Sequence, residues 1–126
     1  MRVIAQEKNF ENKIKAFLKE QGAWFIKYWA GSKFTKDGIP DILACINGYF
    51  VAIEVKAKNG KPSELQKYNV RKINETHGIA VILYPQDFEL FKNLVNYLNK
   101  NNDIDAWYLT HQINERSLKN GKNRDT

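Results

Sequence analysis

The sequence is poor in the features that stabilise secreted or membrane-spanning proteins. Its 126 residues include a single cysteine, Cys45, so no internal disulfide can form, as expected in a reducing compartment. No stretch approaches the run of about eighteen apolar residues that a membrane-spanning helix needs. The first residues, Met1–Glu7, lack the apolar core of a signal peptide. We therefore expect a cytoplasmic protein that has no membrane partner.

Acidic residues are also in short supply. The chain has 14 aspartates and glutamates against 20 lysines and arginines, which gives a formal net charge of +6. Such a balance suits a polyanion, because contacts with phosphates release counterions and supply most non-specific affinity. A basic surface also serves solubility or an acidic protein partner, so charge alone does not decide. The length predicts one domain.

The most informative stretch is residues 38–56, where two apolar runs flank Asn47-Gly48. This dipeptide favours a two-residue hairpin turn, because both turn positions need a positive φ. Pairing outward from that turn places Asp41 opposite Glu54. Since side chains alternate along a strand, Lys56 shares their face. The other face would carry the apolar residues of the two strands: Ile42, Ala44, Ile46, Val51, Ile53 and Val55.

Two opposed carboxylates need a compensating charge. Opposed residues on paired strands have Cβ atoms about 5 Å apart, and like charges there are destabilising. A hard cation such as Mg²⁺, which prefers carboxylate and phosphate oxygens, would compensate Asp41 and Glu54 and acidify a bound water. A simpler alternative is that Asp41 begins a strand after a proline turn, while Glu54 pairs with Lys56 or Lys58 on a solvated face.

The same residues resemble the signature of a known enzyme superfamily. Pro40-Asp41 followed by Glu54-Val55-Lys56 resembles the motif of the PD-(D/E)xK nucleases. More narrowly, three segments resemble the virus-type replication-repair nuclease (VRR-NUC) family, in its small stand-alone form of phages and bacteria: Gly38–Asp41, Phe50–Ala57 and Gly60–Gln66. This resemblance, which extends over residues 11–94, implies a restriction-endonuclease-like core with a mixed central β-sheet flanked by α-helices.

The resemblance also implies the ligands of a metal site. Mg²⁺, for which Mn²⁺ can substitute, would be bound by Asp41 and Glu54, with the backbone carbonyl of Val55 and an acidic residue of the first helix. Glu11 matches that acidic position best, with Glu7 one turn earlier as the alternative. The helix macrodipole, which favours acids in the first half of a helix, would by itself also explain either residue.

Lys56 and Gln66 complete the catalytic set that the resemblance implies. Lys56 would steady the attacking hydroxide or the charge of the transition state, and Gln66 would orient Lys56 or a water. However, Ser63 and Gln66 also form the sequence pattern of a helix capping box, which is a sufficient structural explanation for Gln66. One side chain cannot easily serve both roles at once.

Four lysines and the cysteine are the remaining candidates around the site. Lys33, Lys36, Lys58 and Lys61 would contact DNA phosphates, with ordinary solvated charge as the alternative. Cys45 falls on the predicted metal face, but we expect it to be a small buried hydrophobe and not a ligand or nucleophile.

The rest of the pattern predicts the element order αβββαβα, an α/β (α+β) fold. The spacing of apolar residues predicts an amphipathic helix over 6–21. Aromatic and branched residues predict a strand over 23–29. The capping box begins a helix at residue 63, a continuous apolar run predicts a buried strand over 79–84, and Pro85 begins a further helix.

Residues 1–101 are expected to form the nuclease domain, and 102–126 a basic C-terminal extension. Within the extension, residues 105–109 are expected to form a strand or turn and 112–118 a short helix. Residues 119–126 are polar and are expected to fray into partial disorder.

Together these expectations indicate a metal-dependent DNA endonuclease, and the resemblance to the VRR-NUC family implies selectivity for branched DNA such as Holliday junctions. A homodimer is expected, because cutting two strands symmetrically needs two sites related by a two-fold axis. The aromatic strand and the region around Trp107-Tyr108 are its candidate interfaces. Two alternatives remain: a DNA-binding or inhibitory module on the same fold with weak or no catalysis, and a sequence-specific restriction-type nuclease. Cleavage of junction and linear DNA with Mg²⁺ would separate the three.

Overall fold

The computed structural model describes the backbone of residues 2–29 and 36–123, and the side chains of residues 4–29 and 36–121. Its elements confirm the predicted fold class and add one long helix at the end. They are α1 (Arg2–Glu20), β1 (Trp24–Lys27), β2 (Ile42–Ile46), β3 (Tyr49–Val55), α2 (Glu64–Glu75), β4 (Ile79–Leu83), a short 3₁₀ turn (Pro85–Asp87), α3 (Phe88–Asn99) and α4 (Asp103–Asn123).

The four described strands form one mixed sheet in the order β1-β2-β3-β4. β1 pairs with β2, and β2 with β3, in antiparallel fashion, whereas β3 and β4 are parallel. A parallel neighbour requires a crossover connection, and α2 supplies it between β3 and β4. The mixed sheet flanked by helices is the architecture that the sequence led us to expect.

The main core lies on the face of the sheet that α1 and α3 cover. The predicted apolar face of the hairpin is buried here, so the alternation of side chains along β2 and β3 is confirmed. Its fully or almost fully buried members come from all layers: Phe10, Ile14 and Leu18 of α1; Ile42, Ala44, Ile46, Val51, Ile53, Val55, Val81 and Leu83 of the sheet; Phe91, Leu94, Val95 and Leu98 of α3; and Ala106 and Ile113 of α4. A smaller cluster on the opposite face is covered by α2, through Val70.

The C-terminal segment differs from its prediction. The strand or turn expected at residues 105–109 is wrong, and the short helix expected at 112–118 is part of α4, a helix of 21 residues. The helix also continues through residues 119–123, where fraying was expected, whereas residues 124–126 lie outside the described part.

The buried stripe of α4 explains why the pattern was missed. Ala106, Thr110, Ile113 and Ser117 are buried and recur at helical spacing. Two of the four are polar, so the stripe does not stand out as apolar. Thr110 Oγ1 donates to the Ala106 carbonyl at 2.8 Å, and Ser117 Oγ donates to the Asn114 carbonyl at 2.6 Å, so both hydroxyls are satisfied within the helix.

α4 also covers the outer edge of β4. The Asn114 side chain accepts a hydrogen bond from the Ile82 N–H at 3.0 Å and donates one to the Ala80 carbonyl at 2.9 Å. These backbone groups face away from β3 and would otherwise be left without a strand partner. A helix side chain thus takes the place of a fifth strand.

Within the described ranges, none of the helices is long and apolar enough to cross a membrane.

Candidate active site

The predicted hairpin is confirmed and sets the geometry of the site. Asn47 and Gly48 have φ values of 50° and 87°, as a tight turn of this kind requires. The strand register then runs from Ile46 opposite Tyr49 to Ile42 opposite Ile53. Asp41 immediately precedes β2, so the next position of this register brings it to Glu54.

Hydrogen bonds fix both the side chain and the backbone of Asp41. Its carboxylate Oδ2 accepts a hydrogen bond from the Val55 N–H at 2.8 Å, and its backbone carbonyl accepts one from the Tyr28 N–H at 2.7 Å. The first bond ties the residue to β3 and the second to the chain that follows β1. The side chain therefore has a fixed position at the end of the hairpin. Its other oxygen, Oδ1, takes part in neither of these two hydrogen bonds.

The segment before Asp41 is fixed by a glycine. Gly38 has a φ of +77°, and a Cβ placed on it would lie 2.5 Å from Cγ of Leu65 in α2. The Asn69 side chain, also in α2, donates to the Gly38 carbonyl at 2.9 Å. Both the positive φ and the close approach require glycine here. The loop is thereby attached to the helix that contains Gln66.

Glu54 is a buried carboxylate with one oxygen lacking a hydrogen bond. The residue is 2% exposed. Its Oε2 lies 3.4 Å from Lys56 Nζ, while Oε1 is buried and accepts no hydrogen bond from any described group. Burial, together with the nearby charge of Asp41, raises the pKa of Glu54 to about 9 against the opposing charge of Lys56. A second cation beside the carboxylate would remove this cost.

Lys56 is directed into the same site. Its backbone N–H donates to the Leu83 carbonyl at 3.0 Å, which extends the pairing of β3 and β4 by one residue. The side chain is only 11% exposed, and its ammonium group lies beside Glu54. An almost buried lysine whose partner is a buried carboxylate differs from the solvated pair of the simpler alternative. The structure therefore brings Asp41, Glu54 and Lys56 together.

Glu11 is buried on α1 and is surrounded by ammonium groups. Its Oε1 accepts a hydrogen bond from Lys27 Nζ at 2.6 Å, and its Oε2 lies 3.0 Å from Lys15 Nζ and 3.8 Å from Lys8 Nζ. Burial alone would raise the pKa of Glu11, but the hydrogen bond from Lys27 and the nearby ammonium of Lys15 hold it below its usual value. Glu11 is thus a carboxylate that stays ionised.

Glu7, the alternative acid one turn earlier, is half-buried. Burial raises its pKa, an effect that the charge of Lys56 opposes and that of Asp41 reinforces. Glu7 is therefore close enough to Lys56 and Asp41 to respond to their charges.

Lys27, at the end of β1, is the residue that sequence reasoning missed. Its Nζ donates to Glu11 at 2.6 Å and to Asp41 Oδ1 at 3.4 Å, so it bridges the acid of the helix and the acid of the hairpin. Burial opposes its charge, yet the hydrogen bond to Glu11 and the charge of Asp41 raise the pKa of Lys27. The sequence carried no signal for this role, because the register that pairs Lys27 with Ile42 of β2 is seen only in the structure.

Gln66 forms the predicted capping box. Its Oε1 accepts a hydrogen bond from the Ser63 N–H at 2.9 Å, while the Gln66 N–H donates to Ser63 Oγ at 3.1 Å. The structural explanation of Gln66 is therefore confirmed, and its role in catalysis stays a prediction.

Three of the four proposed DNA-binding lysines lie in described loops. Lys36, Lys58 and Lys61 are exposed, and Lys33 lies outside the described residues. The backbone N–H of Lys36 donates to the Tyr28 hydroxyl at 2.9 Å, which anchors the loop and leaves its side chain outward.

Cys45 is exposed, so the expectation of a buried cysteine is wrong. The predicted alternation is right, but α2 covers the β3 and β4 end of this sheet face and leaves Cys45 of β2 uncovered. Its neighbours across the sheet, Trp24 and Phe50, are 65% and 48% exposed.

The residues present suit a hard divalent cation that is only partly enclosed. Among the described residues, no group of three or more His, Cys, Asp or Glu side chains could hold a metal ion. Asp41 and Glu54 nevertheless offer two adjacent carboxylates, and Glu54 Oε1 lacks a partner within the described part of the chain. Mg²⁺ is usually bound by one or two carboxylates plus waters and phosphate oxygens, which matches this donor set.

A mixed sheet flanked by helices, with an aspartate at one strand and Glu-x-Lys on the next, defines the class of the PD-(D/E)xK nucleases. Residues 3–81, well over half of the chain, match the model of the archaeal Holliday junction resolvase (Hjc) family. The chain belongs to this family, whose members are nucleases of that superfamily. No curated protein and no solved structure matches the chain significantly.

Proposed function

We propose that this protein is a metal-dependent endonuclease that cuts branched DNA such as Holliday junctions in the cytoplasm. The observation that carries the proposal is the convergence of Asp41, Glu54 and Lys56 at the end of one hairpin, with a buried Glu54 oxygen that lacks a partner among the described groups. Membership of a resolvase family supports the choice of substrate. The positive net charge of +6 supports a nucleic-acid partner.

Mg²⁺, or Mn²⁺ in its place, would be held by Asp41 and Glu54, with the Val55 carbonyl and Glu11 as the further ligands that we propose. Such an ion lowers the pKa of a bound water and neutralises charge that builds up at phosphorus. The protein's own contribution is to fix Asp41 through the Val55 N–H and to keep Lys56 beside Glu54. Lys56 would then stabilise the negative charge of the transition state.

Two narrower assignments belong to the same proposal. The likeness of Gly60–Gln66 to the VRR-NUC motif supports Gln66 as an assisting residue, which would require its side chain to leave the capping box. Lys33, Lys36, Lys58 and Lys61 would contact DNA phosphates, because ammonium groups that bind phosphates gain affinity by releasing counterions.

The test is cleavage of a fixed four-way junction, a flap, a nicked duplex and a linear duplex of matched sequence. We expect the junction to be cut with Mg²⁺ or Mn²⁺ and not with EDTA, and the linear duplex to be cut far more slowly. The variant Asp41→Asn is the matched control for contaminating nuclease. Specific cutting of linear duplex would favour a restriction-type enzyme. Junction binding without any cutting would favour the non-catalytic module.

We further propose that the enzyme is a homodimer that uses the uncovered sheet face. Trp24, Cys45 and Phe50 are aligned side by side across three strands, and all three are exposed. Apolar residues grouped in this way typically mark an interaction surface. A second copy, related by a two-fold axis through this row, would bury the same residues twice and supply two active sites for two strands.

The sole cysteine provides the test of this interface. Mild oxidation should join two chains through Cys45, and Trp24→Arg should abolish both the cross-link and the dimer in analytical ultracentrifugation. Trp107→Arg, at another exposed tryptophan, on α4, is the control and should leave the dimer intact. If Trp107→Arg abolished the dimer and Trp24→Arg did not, the interface would lie on α4 instead.

A further inference from the structure

Lys27 places one ammonium group between two acids of the site. Its Nζ lies 2.6 Å from Oε1 of Glu11 and 3.4 Å from Oδ1 of Asp41, and its side chain is 19% exposed. The two acids come from α1 and from the start of β2, so the contact joins separate layers of the fold. The lysine is therefore a built part of the site and not a surface charge that happens to be near.

The two acids depend on Lys27 to different degrees. Glu11 also has Lys15 at 3.0 Å and Lys8 at 3.8 Å, so its charge remains compensated without Lys27. Asp41 has the Val55 N–H on Oδ2, and on Oδ1 the ammonium of Lys27 is its ionic partner within the described residues. Removing Lys27 would consequently leave Asp41 Oδ1, and not Glu11, without a cation.

We propose that Lys27 is a resident counter-ion, which occupies the cation position beside Asp41 in the metal-free protein and must move aside when a divalent ion binds. This inference rests on the proposed function, because it assumes that Asp41 holds the metal. The ammonium and the metal compete for one oxygen, so Lys27 weakens metal binding and stabilises the metal-free site.

The Trp29 ring gives Lys27 a contact that does not depend on Asp41. Lys27 Nζ lies 5.6 Å from the ring centroid while it is beside Asp41, and Lys8 Nζ lies 5.7 Å from the same centroid. Trp29 is 68% exposed. The ammonium can therefore move away from Asp41 Oδ1 and still remain near the ring, where the face of the indole attracts a cation.

The experiment compares Mn²⁺ binding, measured by calorimetry without DNA, in three proteins: the native chain, Lys27→Met and Lys15→Met. Lys27→Met removes the competing charge and keeps most of the aliphatic bulk. We expect it to bind Mn²⁺ roughly tenfold more tightly, the equivalent of about 1.4 kcal/mol. Lys15→Met removes an ammonium that pairs with Glu11 and is not paired with Asp41, so its affinity should change much less.

A second variant gives a prediction of opposite sign. Lys27→Arg keeps the charge and pairs with carboxylates through a planar fork, so it should be harder to displace and should bind Mn²⁺ more weakly than the native chain. This variant decides the matter if Lys27→Met fails to fold, which circular dichroism would reveal.

The proposal is overturned if a folded Lys27→Met protein binds Mn²⁺ no more tightly than the native chain, or if Lys27→Arg does not weaken binding. That result differs from a failure of the proposed function. In the latter case the native chain itself would bind no Mn²⁺, and Asp41→Asn would have no binding to abolish.

Discussion

The carboxylate of Asp41 accepts a hydrogen bond from the backbone N–H of Val55 at 2.8 Å. Because Val55 directly follows Glu54, this bond connects the first acid of the site to the strand that carries the second. The N–H remains whatever side chain stands at position 55, so the link depends on strand pairing and not on a particular neighbour. It fixes the separation of the two acids, on which a shared cation depends.

Asp41→Asn should therefore abolish cleavage with little change in fold. The amide oxygen can still accept from Val55, but the charge that would hold a cation is lost, and we expect at least a hundredfold slower cutting, roughly the scale of losing one transition-state contact. The measurement is single-turnover cleavage of a four-way junction, with junction binding followed separately. Asp37→Asn, on the exposed part of the same loop, should cut normally. Near-normal cutting by Asp41→Asn would contradict the assignment.

Lys56→Ala should also remove cleavage while leaving a folded protein. Glu54 keeps a proton in the metal-free protein up to about pH 9, so losing this ammonium leaves no unpaired buried charge, and the fold tolerates the change although the site does not. Lys58→Ala, two residues further along and exposed, is the control and should lose only some DNA affinity. The proposed role of Lys56 is wrong if its alanine variant retains near-native turnover.

The stability of the metal-free protein should fall as the pH rises. The pKa of Glu54 is about 9 in the folded chain against an ordinary value of 4.5. Between these values the folded chain keeps a proton that the unfolded chain loses, so the free energy of unfolding decreases from about pH 4.5 to about pH 9. Glu54→Gln should flatten this slope and be more stable at pH 8 by about 1–3 kcal/mol.

Urea unfolding in EDTA at several pH values measures this effect. Glu64→Gln, at an 88% exposed carboxylate on α2, should retain the native slope. In a parallel series without EDTA, added Mn²⁺ should raise the free energy of unfolding of the native chain at pH 8 and leave that of Glu54→Gln unchanged. An equal slope in the native chain and in Glu54→Gln would show that Glu54 does not titrate in this range.

Gly38→Ala should damage the site more than an equivalent change elsewhere. Gly22 and Gly38 both have positive φ values, +72° and +77°, so alanine is strained by roughly 1 kcal/mol at either position. Only at Gly38 would the new Cβ meet a neighbour, Leu65 Cγ at 2.5 Å, whereas at Gly22 it would meet none of the described atoms within 4 Å. We expect Gly38→Ala to lose cleavage and Gly22→Ala to keep it. Equal cleavage by Gly38→Ala and Gly22→Ala would mean that the loop shifts away from Leu65 to make room for the added methyl group.

Asn114→Ala should destabilise the protein although it lies outside the matched family region. The change leaves the Ile82 N–H unpaired, which costs about 1–3 kcal/mol, whereas the Ala80 carbonyl still accepts a hydrogen bond from Asn74 Nδ2 at 2.9 Å. Thermal unfolding would measure the loss, with the exposed Asn12→Ala on α1 as the control. A melting temperature equal to that of the control would indicate that water replaces the amide at this edge.

The hairpin was predictable because its information is local. Asn47 and Gly48 determine the turn, the turn determines the register, and the register brings Asp41 to Glu54. The course of α4 was not predictable in this way, since half of its buried stripe consists of Thr110 and Ser117, whose hydroxyls are satisfied only once the helix exists. The capping box of Gln66 likewise depends on local sequence, and the structure confirms it.

Lys27 and Cys45 show what depends on tertiary structure. Whether a strand residue is buried depends on which helix lies over it, and the sequence does not state that α2 stops short of Cys45. The role of Lys27 depends on α1 bringing Glu11 to the end of β1. Glu11 and Lys27 are 16 residues apart and lie on different elements, so no periodicity in the sequence connects them.

The amide of Asn114 has a consequence for any shortened version of this chain. A piece that ends near residue 101 would retain the carboxylates and the four described strands, but it would leave the N–H of Ile82 without its side-chain partner at the open edge of β4. Naked strands recruit further strands, so such a piece would be prone to grow into fibrils while its catalytic residues were still intact.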